Sequence, residues 1–155
     1  MQIHLIAVGT RMPQWVEEGY AEYAKRLPTQ LRLTLREIPA GRRTKGADLE
    51  RLLRDEGERV LAAVPARARV IALERTGRSL ATRELAAAVQ AQLARGADLA
   101  LLVGGPEGLA PACLARADET WSLSALTLAH PVVRVVLAEQ LYRAWSIIAG
   151  TPYHR

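Results

Sequence analysis

Short apolar runs alternate with helical periodicity from one end of this chain to the other, and that alternation constrains the fold more than any other feature. Gln2–Val8 is apolar and closes on Gly9-Thr10. Pro13 stands where a helix start tolerates it, and Trp15, Tyr20, Tyr23 and Leu27 then recur at helical spacing. Residues 31–38 alternate Leu31, Leu33 and Leu35 with polar neighbours, the period of a half-exposed strand. A basic loop, 41–46, precedes a helix predicted over 48–63. Residues 69–74 (Arg-Val-Ile-Ala-Leu-Glu) read as a short strand. Thr82 is the expected cap of the next helix, whose stripe is Leu85, Val89 and Leu93. Residues 98–103 are the most continuous apolar strand. A short helix, a strand over 119–123 and a long helix from Pro131 complete the chain. Five strands interleaved with helices predict one α/β domain over 1–155, a mostly parallel sheet with helices on both faces.

Composition narrows the class further. At 155 residues, half of them hydrophobic, the chain can bury a core without disulfides or metal. Cys113 is the sole cysteine, expected as a buried thiol, so no intrachain disulfide or cysteine-based metal site can form. His4, His130 and His154 lack the helical spacing of metal ligands, and no metal is expected. The opening lacks the basic leader of a secretory segment. The longest apolar helix is interrupted by Arg134, Glu139 and Arg143, which argues against a membrane span. A cytoplasmic location is the default. Net charge is +5, and Lys25 and Lys45 are the only lysines. Arginine suits a polyanionic partner through forked contacts and base stacking, although a GC-rich genome also enriches it.

Two late turns attract attention as binding loops. The strand ending at Val103 runs into Gly104-Gly105-Pro106-Glu107-Gly108. Glycines let a ligand approach the main chain, and the carboxyl ends of parallel strands are where such sheets bind. Neither a phosphate-cradling loop nor a dinucleotide fingerprint fits, because Gly108 is followed by Leu109-Ala110 and the first strand ends in a single Gly9. The second turn, 121–131, reads Trp-Ser-Leu-Ser-Ala-Leu-Thr-Leu-Ala-His-Pro. Its small, aliphatic and hydroxyl residues suit an adenosine with a neutral or zwitterionic tail, held through main-chain atoms. A buried strand with its exit turn would have the same composition.

The final helix carries an anomaly. At about 100° per residue, Ala138, Leu141, Trp145 and Ile148 fall within ~40° of Arg134, placing a cation inside the apolar stripe. A cation in a first helical turn also opposes the macrodipole. Arg134 therefore calls for an anionic partner, either an internal carboxylate or a ligand. The apolar arc is wide enough, with Val135, Val136, Tyr142 and Ile147, for a second subunit or deep burial to cover it. The chain closes Pro152-Tyr153-His154-Arg155, which offers a stacking face, a titratable group and a phosphate fork to RNA. A solvated end is the alternative.

Together these segments resemble one family. Gly-Gly-Pro-Glu-Gly-Leu at 104–109, Trp-Ser-Leu-Ser-Ala-Leu-Thr-Leu from Trp121, His130-Pro131, Glu-Gln-Leu-Tyr-Arg-Ala-Trp-Ser-Ile from Glu139 and the closing Pro-Tyr-His-Arg resemble the RlmH family of SPOUT methyltransferases. So do Ile-Ala-Val-Gly-Thr from Ile6, Met12-Pro13 and Ile-Pro-Ala-Gly from Ile38 with the basic residues after it. One departure is Ala129, where the family is expected to carry proline.

The resemblance implies a C-terminal trefoil knot, a homodimer and S-adenosyl-L-methionine as cofactor. It also implies methyl transfer to N3 of a pseudouridine in large-subunit (23S) ribosomal RNA, in the helix 69 stem-loop of assembled ribosomes. Carried over by position, the cofactor contacts are Leu73, Gly104, Leu123, Ser124, Ala125, Leu126, Thr127 and Leu128. Catalytic and RNA-binding candidates are Tyr153, His154 and Arg155, with Arg134, Arg143 and His130 as substrate-binding candidates. His154 or Arg155 is expected to assist removal of the N3 proton, and Arg134 or Arg143 to hold phosphate or the cofactor carboxylate. A non-catalytic ribosome-binding protein would share the basic surface, and would not bind the cofactor.

Overall fold

The computed structural model describes residues 1–154. Five strands, β1 (Gln2–Val8), β2 (Arg32–Ile38), β3 (Arg69–Ser79), β4 (Leu99–Val103) and β5 (Glu119–Ser122), form one sheet in the order β2-β1-β4-β3-β5. Every pairing is parallel, as the strand–helix alternation predicts. Between and after the strands lie α1 (Gln14–Ala24), α2 (Leu49–Ala62), α3 (Thr82–Arg95), α4 (Pro111–Arg116) and α5 (His130–Ala149).

Alternation along the strands splits the core into two layers. Ile3, Leu5 and Ala7 of β1 and Leu99, Leu101 and Val103 of β4 pack with Leu85 and Val89 of α3 and Leu137 and Leu141 of α5. Ile6, Val8, Ala100 and Leu102 point the other way, toward Val60 of α2 and Cys113 of α4. Both faces are thus covered. Cys113 is fully buried, its thiol pushed up by desolvation. It sits where Gly57 lets α2 approach, since a Cβ there would lie 2.5 Å from the Ala110 methyl.

Several local expectations need correction. β3 runs to Ser79 rather than ending at Glu74, and its register against β5 shifts between Leu73 and Arg78. The extra residues form an irregularity that sequence alternation cannot show. Gly77 permits it, because a Cβ there would lie 2.7 Å from the Thr120 carbonyl carbon. Thr82 does not cap α3. Ala81 holds the cap position, its amide donating to Glu84 Oε2 at 2.6 Å, while the Thr82 hydroxyl donates to Gln140 Oε1 of α5 at 2.8 Å. Trp15 is 59 % exposed, and Val16 is the residue of α1 that is buried.

On α5 the fully buried positions are Arg134, Leu137, Ala138, Leu141, Ala144 and Ser146, so the inward face is rotated from the stripe centred on Arg134. Trp145 and Ile148 remain half-buried. Among the described residues no helix is long and apolar enough to cross a membrane.

Candidate active site

A parallel sheet brings the loops that follow its strands to one edge. There the irregular stretch of β3 and the exits of β4 and β5 enclose a cleft of about 460 Å³ with the start of α5. Leu73 and Gly104 line it, as do Leu123, Ser124, Leu126, Thr127 and Leu128. Ala125 is exposed and lies outside that lining. The glycine turn is tightly folded: a Cβ on Gly104 would lie 2.2 Å from the Gly108 carbonyl carbon. Gly108 takes φ +80°, a left-handed conformation that glycine adopts without strain. The β5 exit is shaped by its hydroxyls. Ser122 Oγ donates to the Ser124 carbonyl at 2.9 Å, and the Leu126 amide donates to Ser124 Oγ at 2.9 Å. Leu126 is left 75 % exposed on the cleft wall.

The cleft also has charged walls. Glu74, Arg75 and Glu107 line it. Glu74 is the last residue of the strand expected over 69–74, whereas Arg75 joins it only in the longer β3. Glu107 stands in the glycine turn itself, and its proximity to a cation depends on a distant loop. Arg43 Nε donates to Glu107 Oε2 at 3.0 Å and Arg43 Nη1 to Glu56 Oε2 at 2.7 Å. Glu56 is 2 % exposed and also accepts from the Gly41 amide at 2.8 Å. The Arg43 guanidinium holds the Glu107 carboxyl below its usual range.

His130 lines the cleft from the first turn of α5. Burial, then Arg134 and Arg43, push its pKa below the ordinary 6.5, and its Nδ1 is buried without a hydrogen-bond partner. Arg134 does not line the cleft. It is 1 % exposed, with Nη1 on Glu37 Oε2 at 2.6 Å and Nη2 donating to the Gly9 carbonyl at 2.8 Å. The anion that its position demands is thus an internal carboxylate.

The tail candidates gather elsewhere. Gly150 takes φ +72° and the Thr151 amide returns to the Ser146 carbonyl at 2.9 Å, closing α5 and turning the chain back along it. Tyr153 donates to Glu139 Oε1 at 3.0 Å, the same oxygen that accepts from Arg143 Nη2 at 2.6 Å. The Arg143 guanidinium lies 4.7 Å from the Tyr153 ring centroid, and the Tyr142 and Tyr153 centroids are 4.6 Å apart. His154 Nδ1 is 3.3 Å from Ser146 Oγ. Arg155 lies outside the described residues. From His130 to Ser146 an α-helix rises about 24 Å, so within one chain the tail and the cleft stand apart. Among the described residues no three His, Cys, Asp or Glu side chains are placed to hold a metal ion.

The all-parallel sheet with a glycine turn and a second loop at its carboxyl edge has known counterparts. The family described as "Predicted SPOUT methyltransferase" matches residues 1–154, and the chain belongs to it. Solved structures agree in fold at low identity. A probable methylase family protein from Haemophilus influenzae is 16 % identical with TM-score 0.56, over 96 % of this chain and 68 % of that one. A probable methyltransferase from Bordetella pertussis is also 16 % identical with TM-score 0.55, over 92 % and 95 %.

Within that class the relatives are much nearer. Proteins named ribosomal RNA large subunit methyltransferase H from Thioalkalivibrio sulfidiphilus and Methylococcus capsulatus are 59 % and 55 % identical over 155 residues. Those alignments cover all of this chain and 99 % and 100 % of theirs, which places it in the RlmH family.

Proposed function

We propose that this chain, acting over 1–155 as one catalytic unit, is a cytoplasmic S-adenosyl-L-methionine-dependent methyltransferase. Its substrate in this reading is N3 of a pseudouridine in the helix 69 stem-loop of 23S ribosomal RNA, within assembled ribosomes. The observation that carries the reading is the cleft at the carboxyl edge of the sheet, built by the two loops on which the resemblance rests. The relatives' names support large-subunit ribosomal RNA as the substrate.

The residues present fit a sulfonium nucleoside. About 460 Å³ lies in the range that holds small ligands, roughly 300–1,000 Å³. Leu73, Leu123, Leu126 and Leu128 offer apolar walls, and main-chain atoms of the glycine turn and of 123–128 offer polar contacts. The orphaned Nδ1 of His130 is a buried polar atom in need of a partner. Glu74 adds negative charge toward a cationic ligand, whereas Glu107 is already paired with Arg43. Once bound, the cofactor supplies an activated methyl group, and the protein's part is alignment.

An imide nitrogen must lose its proton to attack, and nearby cations favour the ionised base. His154 or Arg155 fills that role in this proposal, with Tyr153 stacking on the RNA and Arg143 holding phosphate. Arg134, engaged by Glu37, acts by fixing the start of α5. Because the tail lies far from its own cleft, we infer a homodimer in which one copy's tail approaches the cleft of its partner. Half-buried Val132, Val135 and Val136 on α5 are consistent with such an interface.

The test uses ribosomes lacking the modification, incubated with protein and labelled cofactor, followed by mass spectrometry of the RNA. A single labelled pseudouridine in the helix 69 loop is expected. Cofactor binding without ribosome labelling would overturn the substrate assignment, and no saturable cofactor binding would favour a non-catalytic ribosome-binding protein.

A further inference from the structure

The basic loop 41–46 has no part in the reading above, yet it is fixed against the cleft at a desolvation cost. Glu56, almost wholly buried, holds Arg43 with both oxygens, and Arg43 reaches across to Glu107 on the cleft wall. Taking a carboxylate out of water is costly, and the return here is a loop in one defined place. Arg43 is consumed by these contacts. Arg42 and Lys45, on either side, are exposed and enter none of the ion pairs among the described residues.

Two other segments at the same edge, the turn after β1 and the irregular stretch of β3, present free cations. Arg11 follows β1, exposed, and is the one non-glycine described residue with positive φ, at 56°. A left-handed arginine is uncommon and disfavoured, so the turn is held by its surroundings. A Cβ on neighbouring Gly9 would lie 3.4 Å from the His130 ring, which puts this turn beside the cleft. Arg75, exposed, lines the cleft from β3.

We propose that Arg42 and Lys45, fixed by the Arg43–Glu56–Glu107 network and continued by Arg11 and Arg75, form a phosphate-binding track for the RNA entering the cleft. The proposal rests on the RNA-methyltransferase reading for its ligand. Exposed, unpaired cations on a preorganised loop gain most from phosphate, because no ion pair must break and counterions are released.

The experiment compares wild type, the double variant Arg42→Ala/Lys45→Ala and a control, Arg67→Ala/Arg95→Ala. The control removes two exposed cations at the opposite edge of the sheet, Arg67 in the turn before β3 and Arg95 at the end of α3. Equilibrium binding to assembled ribosomes and to the isolated helix 69 RNA stem-loop is measured across a salt series. Calorimetric cofactor affinity and single-turnover methylation accompany it.

The double variant is expected to lose roughly tenfold in affinity for both RNAs near 0.1 M salt, with a log–log salt slope shallower by about 0.7–0.9 per lost contact. Cofactor affinity and the rate at saturating ribosomes stay at wild-type values, and the control binds like wild type. Unchanged affinity and slope would overturn the track. Weakened ribosome binding with unchanged stem-loop binding would assign the loop to a ribosomal protein and overturn it equally. Wild type that binds RNA with steep salt dependence but methylates nothing would refute the enzymatic reading and leave the track standing. Wild type that binds neither RNA refutes both.

Discussion

The two ends of α5 are built by different means. At its start, the cleft is mostly a matter of main chain: a glycine turn, a hydroxyl-shaped loop and one imidazole whose Nδ1 is buried without a partner. At its far end, side chains do everything, with Glu139 gathering Arg143 and Tyr153 while Ser146 meets His154. A backbone-built pocket tolerates side-chain change but not an added Cβ. A side-chain cluster fails when one charged member is removed. In the proposed function, the first end holds the methyl donor and the second is lent to the partner subunit.

The largest effect is expected from Gly104→Ala. The new methyl group meets the Gly108 carbonyl carbon at 2.2 Å, so the turn must open. The cost is about 3 kcal/mol, roughly a hundredfold in cofactor affinity if it falls on binding. Calorimetry beside urea unfolding separates the two. The same variant sharpens the comparison when mixed with His154→Ala. Two inactive homodimers should exchange into heterodimers with one intact site, restoring roughly a quarter of wild-type methylation. No restoration would place tail and cleft of one site in the same chain.

Next in size is Arg134→Met, which leaves the Gly9 carbonyl without its buried donor. About 2 kcal/mol of stability should be lost, read as a lower urea midpoint at unchanged slope. A loss of ribosome affinity at unchanged stability would return Arg134 to the RNA-binding residues. Glu139→Gln should cost about 1 kcal/mol, since its pairs are partly solvated, yet lower methylation without altering cofactor affinity.

The smallest effect concerns pH. Burial holds folded His130 below its ordinary 6.5, so the unfolded chain takes up the proton first. Stability should therefore fall as pH drops below about 6.5 and level off once the folded imidazole protonates. His130→Asn should flatten that limb of the curve, while the carboxylates Glu107 and Asp98, held low by their partners, act only at more acid pH.

What the sequence revealed follows the range of the interactions. The alternation of Ile3, Leu5 and Ala7 with Ile6 and Val8 already specifies a two-faced strand, because that pattern is local. Cleft residues in the glycine turn and in 123–128 were legible for the same reason. Arg134 announced an anion, but choosing Glu37 over a ligand depended on a partner 97 residues away in the chain. Arg75 entered the cleft on the irregular stretch of β3 beyond the expected strand, and Glu107 gained its cation from a loop 64 residues away. Thr82 lost its capping role to a contact with Gln140, 58 residues on. Tertiary partners decided each of these.

The most direct test is a crystal structure of the protein grown with S-adenosyl-L-methionine. Density for the nucleoside is expected between the Gly104–Gly108 turn and residues 123–128, against Leu73 and within reach of His130. Density elsewhere on the molecule, or an unliganded cleft at saturating cofactor, would contradict the account.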